Sequence, residues 1–89
     1  MDVAKAFGMT LQRCRHKAEL SQELLAEKAG IDRTYVSLLE RGLRTPTLQT
    51  IVEIAKALQV SPVDLVSATM EETNETRRRD PNLRGRRRV

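Results

Sequence analysis

The sequence predicts an all-α fold, with a compact five-helix unit over residues 1–68 and a disordered, basic C-terminal tail over residues 69–89. Three observations lead there. Apolar residues in the first two thirds of the chain recur with the helical period, and no stretch alternates for long enough to make a strand. A residue able to cap a helix (Asp2, Ser21, Asp32, Thr47 or Ser61) stands ahead of each periodic run. From Thr69 onward almost nothing is apolar, and Pro81 and Gly85 interrupt what remains, so burial cannot offset the entropy of ordering that segment.

The first helix is expected over residues 3–18, capped by Asp2, with Phe7, Leu11, Cys14 and Ala18 down its inner face. Ser21 caps a short second helix that ends at Gly30, where a left-handed backbone costs glycine little. Asp32 caps a third over residues 33–41, stopped by Gly42. Thr47, with Pro46 just before it, caps a fourth over residues 48–58, whose apolar stripe reads Leu48, Ile51, Val52, Ala55 and Leu58. Ser61, Pro62 and Asp64 open a brief fifth helix that should end near Ser67.

Composition excludes whole classes of function. The chain has 89 residues with 16 Lys+Arg against 12 Asp+Glu, a formal net charge of +4. Seven Arg and four acids fall in residues 69–89, so most of the net charge lies on the tail, where it is expected to add non-specific affinity for phosphates. Cys14 is the single cysteine and His16 the single histidine, which leaves neither a disulfide, a His/Cys metal site nor a catalytic triad. Cys14 reads as a small core residue, and His16 as a solvated side chain or phosphate neighbour. Phe7 and Tyr35 are the only aromatic residues, too few for stacking single-stranded bases. There is no Gly-rich phosphate loop and no nucleophile beside a base, so neither an enzyme nor a cofactor is expected. No apolar run approaches the roughly 18 residues of a membrane span, and the start of the chain is no signal peptide, so the cytoplasm is the expected compartment.

Residues 22–41 read QELLAEKAGIDRTYVSLLER, two short helices separated by a tight turn. Ala26 is small enough for a close helix crossing, Gly30 permits the turn, and Leu25, Ala29, Ile31, Val36 and Leu39 supply the inner faces. This is helix-turn-helix spacing. Residues 33, 34, 37, 38 and 41 share the outer face of the second of these helices. There Arg33 can pair bidentately with guanine, Thr34 and Leu38 offer methyls to thymine, Ser37 can donate or accept, and Asp32 can accept from cytosine if its carboxylate is not taken up as a cap. Tyr35, at the border of the two faces, reads as a phosphate or sugar neighbour.

From Ser21 to Gly42 and on through PTLQTIVEIAKALQVSPVDL, the chain resembles the Xre/Cro/phage-repressor family of five-helix, lambda-repressor-like DNA-binding domains. The resemblance covers about residues 5–66. It implies that residues 32–41 form the recognition helix in the major groove, that Gln22 anchors a phosphate, and that Arg41, Arg44 and Thr45 follow the phosphate backbone. It also implies an ion pair between Arg15 and Glu40, which spacing alone does not reveal. Leu24 and Leu43 stand at positions commonly polar in the family, Leu38 where many relatives carry a polar reader, and Gln59 where a helix-ending glycine is usual.

About 65 ordered residues bury little, and Val60, Val63, Leu65 and Val66 exceed what a short terminal helix can hide, so these four should pair across a two-fold axis; the resemblance also implies dimerisation through this end of the domain. The function expected is that of a stand-alone regulator of transcription, restriction-modification controllers included, encoded by a bacterium or phage, associated with the nucleoid, and bound as a homodimer to an inverted repeat in double-stranded DNA. The alternative is an antitoxin-type interaction protein that sequesters a toxin and regulates its own promoter. RNA polymerase is a further expected partner for the regulator.

Overall fold

The computed structural model describes the backbone of residues 2–78 and the side chains of residues 2–73. Five helices follow in order: α1 (Val3–Lys17), α2 (Gln22–Ala29), α3 (Arg33–Glu40), α4 (Leu48–Leu58) and α5 (Pro62–Arg78). Helix α1 packs against α3 and α5, α2 against α3 and α4, and α4 against α5. Phe7, Leu11, Leu25, Val36, Leu39, Ile54 and Leu65 meet in one buried core, so every helix contributes to it.

The capping signals act locally where they were expected. Asp2 accepts from the Lys5 amide at 2.8 Å, Ser21 from Leu24 at 3.0 Å, Thr47 from Thr50 at 3.1 Å, and Ser61 from Val63 at 3.1 Å. Asp32 is the exception. It occupies the N-cap position of α3, but its side chain makes no capping hydrogen bond. Gly30 ends α2 in the left-handed region at φ 71°, which keeps the turn into α3 tight.

The structure corrects four expectations. The fifth helix does not stop near Ser67 but runs to Arg78, so the boundary set at residue 68 falls inside α5. Past Ala68 the inward positions among the described residues, Thr69, Glu72 and Thr73, are polar, which is why no apolar stripe announced the continuation. Thr69 is buried with its hydroxyl donating to the Leu65 carbonyl at 2.9 Å, and Glu72 pairs with Arg13 of α1. The expected disorder of the remaining tail, residues 79–89, lies outside the described residues. Leu65, assigned above to the dimer contact, is instead a core residue, 1% exposed.

The stripe expected on α4 is rotated: Thr50, Ile54, Ala55 and Leu58 are buried, while Leu48 is 76% exposed. Apolar residues cover more than one face of α4, so periodicity could not choose between them. Ala18 is exposed at the C-cap of α1 and does not continue its inner face.

Gly8 was not singled out in the sequence, although a glycine inside a helix costs about 1 kcal/mol relative to alanine. A Cβ on it would lie 2.5 Å from the Leu39 carbonyl oxygen and 2.6 Å from that of Glu40. The glycine therefore lets α1 sit against the backbone at the end of α3.

Gln59 takes the left-handed conformation at φ 60° to end α4. A side chain there is strained, so Gln59→Gly is expected to stabilise the fold by about 1 kcal/mol in urea denaturation. An unchanged or lower midpoint would show that the cap is unstrained or that the glutamine contributes elsewhere.

Candidate nucleic-acid interface

Helices α2 and α3 form the helix-turn-helix, with Leu25, Ala26 and Ala29 of α2 and Val36 and Leu39 of α3 buried beneath it. Burying Val36 and Leu39 turns the opposite side of α3 outward. On that side Arg33, Thr34 and Arg41 are exposed, and Ser37 and Leu38 are half-buried. Asp32, unused as a side-chain cap, is also exposed beside them. Of the five expected base readers, Asp32, Arg33 and Thr34 thus stand exposed around the start of α3, and Ser37 and Leu38 follow one turn further on, half-buried.

The cations that follow the helix are exposed too. Arg44 and Thr45 lie in the segment between α3 and α4, and the Arg44 guanidinium carbon stands 5.7 Å from the centroid of the Tyr35 ring. That stacking holds Arg44 near α3, with an attraction of about 0.5–1 kcal/mol at an exposed site. The Tyr35 ring itself is half-buried and packs on the core.

Beneath the face lies a polar network. Arg15 donates from Nε to Glu40 Oε2 at 2.6 Å and from Nη2 to Glu40 Oε1 at 3.1 Å, a two-point ion pair between α1 and α3. Both groups are withdrawn from water, with Arg15 8% exposed and the Glu40 side chain 3%. Arg15 Nη1 also donates to the Leu20 carbonyl at 2.8 Å, tying down the chain between α1 and α2, and His16 Nε2 lies 3.3 Å from Arg15 Nη2. Gln22, at the start of α2, donates to Glu40 Oε1 at 3.0 Å and accepts from Arg33 Nη1 at 3.3 Å. Sequence reasoning assigned Gln22 to a phosphate; its contacts to Glu40 and Arg33 left no signal in the spacing.

The surface expected to pair with a second copy is divided. Val63 and Val66 join Leu48, Ile51, Pro62 and Ser67 around an open apolar hollow of about 400 Å³. Val60 lines a different hollow, with Cys14, Lys17, Ala18 and Leu58, and Leu65 lines neither. Leu48 belongs to this face and was placed in the core stripe instead, while Ile51 lines the hollow and also packs against the core as expected. Among the described residues no cluster of three or more His, Cys, Asp or Glu side chains could hold a metal ion.

The Arg15–Glu40 pair generates a prediction. Removing one partner strands a charge out of water, so Arg15→Ala and Glu40→Ala are each expected to cost about 3 kcal/mol or more in denaturant unfolding, against at most about 1 kcal/mol for an exposed pair. A double-mutant cycle should give strong coupling; coupling near zero would mean that the pair is incidental to stability.

Comparison with known proteins matches this architecture. Residues 11–65 match the family described as Helix-turn-helix. An uncharacterised HTH-type transcriptional regulator, y4dJ of Sinorhizobium fredii, is 43% identical over 77 residues, covering 86% of this chain and all of the relative. The crystal structure of the restriction-modification controller protein C.AhdI from Aeromonas hydrophila superposes with a TM-score of 0.68 at 42% identity, over 70% of this chain and 94% of that one. The controller protein C.Esp1396I, solved as a tetramer with its natural 35 base-pair operator, superposes with a TM-score of 0.73 at 30% identity, over 81% of this chain and 95% of that one. With its five helices, its paired α2 and α3 and these relatives, the chain belongs to the helix-turn-helix family, in the Xre-like group that includes HTH-type transcriptional regulators and restriction-modification controller proteins.

Proposed function

We propose that this protein is a sequence-specific regulator of transcription, bound to double-stranded DNA as a homodimer on an inverted repeat, with residues 32–41 in the major groove. The observation that carries the reading is the outer face of α3, where Arg33 and Thr34 are exposed at the helix start with Arg41 and Arg44 flanking them. That arrangement suits base edges at the centre and phosphates at the margins. In this reading Asp32, Arg33, Thr34, Ser37 and Leu38 read bases, and Gln22, Tyr35, Arg41, Arg44 and Thr45 face the backbone. The C.Esp1396I complex with its operator supports the same mode of action. The protein acts as a binding module rather than an enzyme, in the cytoplasm, and no described helix is long and apolar enough to cross a membrane.

The dimer in this proposal uses the hollow between α4 and α5. Val63 is 74% exposed there and Leu48 76%, large apolar groups that a second copy related by a two-fold axis would cover. Two recognition helices related in this way meet the duplex about 34 Å apart, one helical turn, or at a multiple of it.

Selection from random duplexes is expected to return a motif with dyad symmetry. On that motif Arg33→Ala should cost about 1–3 kcal/mol of binding while leaving the melting temperature unchanged, because the side chain is outside the core. Full operator affinity in this variant would overturn the assignment of the reading face.

Val63→Asp is expected to give a monomer in sedimentation, with normal helicity and binding reduced to that of a single half-site. A variant that still sediments as a dimer would move the interface away from α4 and α5.

A further inference from the structure

The cations that border α3 do not all belong to the helix-turn-helix. Lys5, in the first turn of α1, lies against the turn that leaves α3, and Gly42 is what admits it. A Cβ on Gly42 would stand 2.7 Å from Lys5 Cγ and 3.0 Å from Lys5 Cα, so the lysine stem occupies the notch that a side chain would fill. Gly42 takes φ 74°, and two backbone bonds pin the turn around it. One runs from the Gly42 amide to the Leu39 carbonyl at 3.1 Å, the other from the Leu43 amide to the Leu38 carbonyl at 2.9 Å. The stem thus rests on a fixed support, as lysine stems do when they cover a surface and leave the ammonium in water.

No acid among the described residues neutralises that ammonium. Lys5 is exposed and joins no ion pair, and the carboxylate of Asp2, two positions before the helix's first buried residue pair, accepts instead from the Lys5 backbone amide at 2.8 Å. The turn is equally uncompensated. Arg41 and Arg44 on either side of Gly42 are exposed, no Asp or Glu occurs between Glu40 and Glu53, and the Glu40 carboxylate is already held by Arg15. Three cations without a counter-charge therefore meet at one short turn, and a polyanion laid there would relieve their mutual repulsion.

We propose that Lys5 is a phosphate contact contributed by α1, brought to the DNA by the notch at Gly42. This rests on the reading of the protein as a binder of duplex DNA, and adds to the α2, α3 and turn residues a contact from outside the helix-turn-helix. A lysine is a compact point charge without the planar fork that matches a base edge, so its contribution is affinity and not sequence choice.

The test is binding of the full chain to its selected operator over a series of salt concentrations. Lys5→Met keeps the stem on Gly42 and removes the charge. It is expected to make the slope of log K against log salt shallower by about 0.9, the increment for one phosphate, so that the loss of affinity is about eightfold at 0.1 M salt and fades toward 1 M. The loss should be the same on duplexes with altered bases, and the melting temperature of the free protein should not move. Lys28→Met removes another exposed cation, one that borders the hollow of Ala18, Leu58 and Gln59, and should keep the parent's slope. Gly42→Asn tolerates the left-handed backbone but fills the notch, so in that background Lys5→Met should change the slope by less than it does in the parent.

An unchanged slope in Lys5→Met overturns the proposal. So does an equal change in Lys28→Met, which would make the effect one of net charge. A lower melting temperature with the parent's slope would assign Lys5 to the end of α3 alone, and a full-sized change in the Gly42→Asn background would show that the notch does not aim the lysine. If the parent binds no duplex with a measurable slope, the reading of the protein as a DNA-binding regulator fails first, and the proposal falls with it.

Discussion

A charge withdrawn from water has to be matched, and the match between Arg15 and Glu40 ties the end of α3 to α1. Their two hydrogen bonds join the last turn of α1 to the last residue of α3, and Arg15 holds the Leu20 carbonyl in the connection to α2. Three elements are thereby referred to one guanidinium. A hydrophobic contact in the same place would contribute comparable stability without fixing direction, whereas a two-point pair admits little rotation of one helix about the other. The small core tightens this requirement. With so few large side chains inside, apolar packing alone specifies the angle of a short, eight-residue helix poorly.

The helix-turn-helix was legible because its requirements are local. Ser21 and Gly30 bound α2 within the residues they mark, and Leu25, Val36 and Leu39 are buried as their spacing implies. What the sequence did not disclose depends on distant partners. Thr69 and Glu72 read as tail residues until α1 supplies a packing surface and Arg13, and with those in place the helix continues. Leu48 and Leu65 exchange roles for a similar reason. Both are apolar and periodic, and only the way α4 and α5 cross decides which goes inside. Arg15 and Glu40 are 25 positions apart, so only the family resemblance could suggest their pairing.

Helix α1 has a part beyond packing. It touches α3 on one side and α5 on the other, and α5 borders the hollow proposed for the second copy. The path from that hollow to the reading face therefore runs through one rigid element. In the proposed dimer, the separation of the two recognition helices is set by α5 on α1 and by α1 on α3. No flexible linker intervenes between those contacts, which suits the fixed spacing of half-sites that the proposed dimer requires.

At the second of those contacts the absent Cβ of Gly8 has a further consequence. The end of α3 rests on α1 backbone to backbone, so the height of this seat is set by covalent geometry rather than by the volume of any side chain. The outer positions of α3 take no part in that seat, and Thr34 and Arg41 stand exposed beyond it. A fold of this kind can acquire a new operator by changing a few surface residues, and it keeps the same reach toward the duplex as it does so.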